Sequence, residues 1–242
     1  MKLPALGTLP LVAGAKLILA AVSPLQRILD QPGITHEFCN RQAVTILAND
    51  GYCGYARFLN NYIAELNAGV YWADKGWKNV SHYYEPVTRK GLWQFNHAID
   101  SFTDFYNQAL EAAKLKKLSD AVFYLGASAH LVQDLFVPHH ARAQLFNGHK
   151  EYESWVTQNY SKYAVFKGCL NIEYKDLKST MVFSAATAAD LYDYVNLAKG
   201  GSRYHDATSI LLPQAQRATA GLFKHFLNTV NCIIGLKVTV VA

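Results

Sequence analysis

The segment from Gly126 to His149 reads GASAHLVQDLFVPHHARAQLFNGH, and HKEYE at its end adds a glutamate. It concentrates side chains that bind cations or move protons. His130 and Asp134 are four residues apart, so on a helix they share one face about one turn apart. His140 follows Pro138, and after the Asn147-Gly148 turn His149 and Glu153 form a second pair with the same spacing. Neutral imidazole and carboxylate are the ligands of catalytic zinc, where an open position lowers the pKa of water toward neutrality. A single His-x3-Asp pair is more often a hydrogen-bonded core pair. Five such residues in order within 24 positions point instead to a metal centre.

Three upstream residues say little in isolation: His82 in SHYYEP, Asp74 in YWADKGW eight residues before it, and His36 in ITHEF. Together with HLVQDLFVPHH and HKEYE, however, they resemble the zinc-dependent phospholipases C of bacteria. Relatives of that family include the catalytic domains of clostridial alpha-toxin and of phosphatidylinositol-glycan phospholipase D. HLVQDLFVPHH is similar to the family's His-x3-Asp-x3-Pro-x-His signature and HKEYE to its His-x3-Glu, and the resemblance covers roughly residues 33 to 165.

The resemblance implies two to three Zn2+ ions. His140, His149 and Glu153 would hold one and His82 and His130 another, with Asp134 bridging to a third that takes His36. Asp74 would be a ligand or the general base beside the attacking water. The implied reaction is phospholipase C hydrolysis of a glycerophospholipid at a membrane surface, releasing diacylglycerol and a phosphorylated head group. Such an enzyme would be a phosphoric diester hydrolase, with no nucleic-acid partner and a monomeric state expected. Two departures stand out. The family completes its third site with an N-terminal tryptophan just before the first histidine, whereas here no Trp precedes Trp72. The residue after Asp74 is Lys75, where choline-preferring members carry tyrosine, and a lysine suits a more anionic head group. Alternatives are a P1-type nuclease or nucleotidase, which shares the three-zinc helical design, and a catalytically inactive relative that binds metal or membrane.

Helices must position these groups. Apolar residues at three-and-four spacing predict a helix over 53–67 stopped by Gly69, and another over about 92–117. Ser119 is placed to cap a third, running to about Phe136 before Pro138. Further helices are expected over about 149–165, 179–198 and 213–233, the last with Pro213 in its first turn, and Thr35 is placed to cap one near His36. KVTVVA at the end is the only strand-like text. The fold class predicted is all-α, one multi-helix domain over 31–242.

Composition agrees. Of 242 residues, 51% are hydrophobic and 17% charged, which excludes a disordered chain. The net charge of +5 is scattered, and KLKK at 114–117 reads as a solvated helix end rather than a nucleic-acid patch. Cysteines 39, 53, 169 and 232 show no zinc-finger spacing and leave the compartment open. Residues 1–30 have a basic start and a long apolar stretch, readable as a secretory signal, an anchor or a packed arm. A secreted or envelope-associated protein is therefore expected. His97, His205, Asp206 and His225 are read as structural, and His139 as support for a neighbouring ligand.

Overall fold

The computed structural model describes residues 33–94, 96–171 and 177–235. The signal-like N-terminus and KVTVVA lie outside the described residues. The architecture is all-α, with no strand among the described residues beyond an isolated bridge between Glu85 and Lys90. Among the described residues ten helices carry it: α1 (Ile34–Asn49), α2 (Cys53–Asn61), α3 (Ile63–Ala73), α4 (Ala98–Lys114), α5 (Leu118–Asp134), α6 (Pro138–Ala141), α7 (His149–Asn159), α8 (Leu177–Asp190), α9 (Tyr192–Val195) and α10 (Tyr204–Ile234).

Helix α5 forms the axis. Every residue from Leu125 to Phe136 is buried, so the helix is enclosed on all sides where it carries its acid and imidazole. Helices α3 and α4 pack along it, and α10 closes the other side against both α5 and α1. The face of α4 that does this is Ile99, Phe102, Tyr106, Ala109 and Ala113, the spacing expected of a helix with one buried stripe. Two glycines set the α3–α5 distance. A Cβ on Gly126 would lie 1.9 Å from the Leu66 carbonyl oxygen, and one on Gly69 1.9 Å from that of Phe123. Gly69 is thus a helix-packing residue inside α3 and not a stop signal.

Other boundaries differ from expectation for local reasons. The helix predicted over 53–67 breaks at Tyr62, because α2 packs on α1 while α3 turns to follow α5. Trp93 takes a left-handed conformation (φ 50), so α4 starts only at Ala98, where the His97 ring accepts the Asp100 amide hydrogen. Lys116 is also left-handed (φ 59), which ends α4 early enough that α5 begins at Leu118 and Ser119 falls inside its first turn. Gly33 occupies the N-cap position of α1, leaving Thr35 to face Thr157. Helix α10 starts nine residues before Pro213, taking in His205 and Asp206. A buried stripe on both sides of the proline (Leu211, Leu212, Ala215, Ala218, Leu222) outweighs its missing donor. All four cysteines are free thiols.

Candidate metal centre

The eight residues singled out in the sequence converge on one region, spread over six structural segments. Helix α1 supplies His36 in its first turn, and Asp74 flanks the C-terminal end of α3. The 3-10 turn Gly76–Ser81 delivers His82, α5 carries His130 and Asp134 on its last turn, α6 carries His140, and α7 begins with His149 and reaches Glu153. Their ligand atoms fall into three groups, each within 4.8 Å: His36, His130 and Asp134; Asp74, His82 and His130; His140, His149 and Glu153.

Asp134 is the hub. Its Oδ1 lies 3.4 Å from His36 Nε2, and its Oδ2 lies 2.9 Å from His82 Nδ1, 3.1 Å from His130 Nε2 and 3.7 Å from His140 Nδ1. His82 Nδ1 and His130 Nε2 are 3.2 Å apart. Despite this crowding, Oδ2 is buried without a well-formed hydrogen bond, and so is His130 Nδ1. Two imidazole nitrogens and a carboxylate oxygen therefore form a triangle with edges near 3 Å and too few hydrogens to satisfy it. Ligands at zinc distances of 2.0–2.1 Å in a tetrahedron sit about 3.3 Å from one another. These edges match that spacing. So do those of the outer group, where Glu153 Oε1 lies 2.9 Å from His149 Nε2 and 3.3 Å from His140 Nε2. The donor set and its spacing fit zinc.

Groups on the far side of the rings fix their orientation. His82 Nε2 faces the Ala73 carbonyl at 3.2 Å, His140 Nδ1 faces the His82 carbonyl at 3.3 Å, and His36 Nδ1 faces Gln133 Oε1 at 2.9 Å. Each contact suits an N–H pointing outward, which turns the other nitrogen and its lone pair toward the cluster. Tyr83 stacks on His140 with ring centroids 4.6 Å apart and 6° between planes. His139 stacks on His149 at 4.9 Å and 10°, its Nε2 3.3 Å from the Asn147 carbonyl, so it supports a neighbour as expected.

Charge states follow from burial and neighbours. Burial alone would raise the Asp134 carboxyl, but the charges of His130 and His140, and the close His130 and His82 nitrogens, hold it well below the usual range. Glu153 is likewise held low against its burial by His149 and His140. Burial, then the charge of His130, pushes His36 down to about 4. Burial would also lower His140, yet Asp134 and then Glu153 lift it to about 9.

Sequence reasoning missed Gln133 and Tyr83. The signal for Gln133 was an amide next to Asp134 on the fully buried stretch of α5. Tyr83 had none beyond adjacency to His82. His97, His205 and His225 fall outside the three groups, with His97 capping α4 and His205 hydrogen-bonded to the Tyr163 hydroxyl at 2.8 Å.

The family profile described as zinc-dependent phospholipase C matches residues 35–217. Two relatives from Bacillus cereus, each named phospholipase C, are similar to this chain. One is 32% identical over 125 residues, 46% of this chain and 43% of the relative, and the other 26% identical over 205 residues, 71% of each. Among solved structures, the alpha toxin of Clostridium absonum is similar with a TM-score of 0.73 and 20% identity, covering 87% of this chain and 66% of that one. An alpha-toxin of Clostridium perfringens from an avian strain gives 0.67 at 20% identity, covering 84% and 64%. The chain thus spans less than half of the first relative and just under two thirds of the toxins, whose likeness carries the fold.

Proposed function

Because this chain belongs to the zinc-dependent phospholipase C family, we propose that it is a phosphodiester hydrolase that cleaves a glycerophospholipid into diacylglycerol and a phosphorylated head group. The observation that carries this reading is the Asp134 hub, where one buried carboxylate lies within 3.7 Å of four imidazoles from four segments. In this reading His140, His149 and Glu153 hold one ion and His82 and His130 a second. Asp134 bridges to a third at His36, and residues 31–242 make up the catalytic unit.

The site suits the problem. A phosphodiester already carries a negative charge that repels an anionic nucleophile, so a general base alone is not enough. Zinc, when bound, supplies positive charge against that phosphate and lowers the pKa of water. The protein contributes the rest. Asp74, half-buried beside the buried His82 and His130, accepts a proton from water in this reading and aims that water at phosphorus. The outward hydrogen bonds of His36, His82 and His140 hold their rings in place before substrate arrives. Lys75, exposed beside Asp74, favours an anionic head group. The apolar N-terminal stretch supports a secreted or envelope-associated protein.

The test is release of diacylglycerol and phosphorylated head group from phosphatidylcholine and phosphatidylglycerol vesicles, with single-stranded DNA assayed in parallel. Activity on lipid, abolished by a chelator and restored by zinc, is expected. Zinc-loaded protein that hydrolyses DNA or no phosphodiester at all would overturn the proposal.

A further inference from the structure

Behind His36 lies a chain of buried polar groups that the reaction itself does not use. Gln133 Oε1 faces His36 Nδ1 at 2.9 Å, while Gln133 Nε2 donates to Asn40 Oδ1 and to Thr219 Oγ1, each at 3.1 Å. Asn40 passes its own amide hydrogen to Asn67 Oδ1 at 3.1 Å. Asn40, Asn67, Gln133 and Thr219 are all buried, with Asn40 and Thr219 fully so, and no solvent is at hand to relieve a mismatch.

The direction of this chain is set from helix α10. The single hydroxyl hydrogen of Thr219 is committed to the Ala215 carbonyl at 2.7 Å. Thr219 can therefore only accept from Gln133, so the glutamine atom facing it must be the NH2 group. The other end of the amide, facing His36, is then the carbonyl oxygen. An acceptor at 2.9 Å requires a donor, and His36 must carry its proton on Nδ1. Reversing the amide would press Gln133 oxygen against Thr219 and Asn40 oxygens, and would require both to reverse as well. The remaining nitrogen, Nε2, is the one that points at Asp134 Oδ1, 3.4 Å away.

We propose that Thr219 and Gln133 are positioning residues that lock His36 in its Nδ1-protonated tautomer, keeping the Nε2 lone pair available to a metal ion shared with Asp134. This rests on the reading of the site as a zinc centre, and it gives a residue 183 positions away in sequence (219 − 36) control over the first histidine. A site built without this relay would have to discard the wrong tautomer each time it took up an ion.

The experiment labels histidine nitrogens with 15N in metal-free protein near neutral pH and reads whether each His36 nitrogen is pyrrole-like or pyridine-like. Wild-type protein is expected to show Nδ1 protonated. Gln133→Met and Thr219→Val, close in shape but unable to pass the signal, are expected to move His36 toward the other tautomer. They should also weaken the most weakly held zinc by about tenfold or more. Thr219→Ser, which keeps the hydroxyl, is expected to behave as wild type. Nε2 protonation in the wild type overturns the proposal, and so does an unchanged tautomer in both disruptive variants. The wild-type spectrum decides even if a variant misfolds. Because no substrate enters the measurement, failure here is separable from failure of the hydrolase reading, which lipid turnover by the wild type tests alone.

Discussion

The candidate metal centre has two halves that are built differently. Around Asp134 the partners arrive from α1, the turn after α3, α5 and α6, and the carboxylate is almost fully enclosed. Around Glu153 both imidazoles come from the chain just before it, and 47% of the Glu153 side chain meets solvent although its Oε1 turns inward to both rings. The first half requires the whole fold to be in place. The second requires only a short helix, a glycine turn at Gly148 (φ 99) and the start of α7. A buried carboxylate among imidazoles pays several kcal/mol of dehydration unless positive charge compensates it. Protonated His140 supplies part of that charge, and the deep half gains more than the outer half from a bound cation.

That contrast can be broken most forcefully at its hub. Asp134→Ala removes the group common to the inner ligands, and turnover is expected to fall roughly a thousandfold or more. Zinc analysis should show loss from the inner half, while the outer group keeps its ion. Asp74→Asn is expected to lower turnover roughly a hundredfold with bound zinc largely retained, and unchanged turnover would remove Asp74 from the role of base. Glu153→Gln should weaken one ion by about tenfold and leave the Asp134 group loaded, as a zinc titration would show.

The smallest effect is on pH dependence, read by thermal melting of the metal-free protein. His140 is raised from 6.5 to about 9, so its stabilising contribution is complete below pH 6.5 and lost as pH rises through about 9. His36 is lowered from 6.5 to about 4, so the unfolded chain takes up that proton first and stability falls as pH drops from 6.5 toward 4. His140→Gln is expected to flatten the alkaline limb and leave the acidic one.

The sequence carried more of the site than of the frame. In the candidate site, His130 with Asp134 and His149 with Glu153 were readable because i, i+4 spacing puts each pair on one helix face, with His140 between them just after Pro138. His36, Asp74 and His82 became readable only through their order in a family pattern, since nothing local ties them to α5. Helix existence was also legible, but ends were not. Trp93 and Lys116 adopt left-handed conformations that carry no glycine signal, and Tyr62 interrupts a continuous apolar stripe because its two flanks face different partners. Pro213 reads in the sequence as the opening of a helix, but packing along the thirty-one residues of α10 carries that helix nine residues before it. Gln133 could have been suspected from its apolar surroundings, but its partners on α1 and α10 could not.

The paired glycines have a bearing on reactivity. Gly69 lies five residues before Asp74 on α3, and Gly126 four residues before His130 on α5. The close approach of the two backbones therefore sets how far Asp74 stands from His130. Adding a single methyl at either glycine would force the two helices apart and open that gap without altering any group that does chemistry. Spacing across the candidate site is governed by the absence of two side chains.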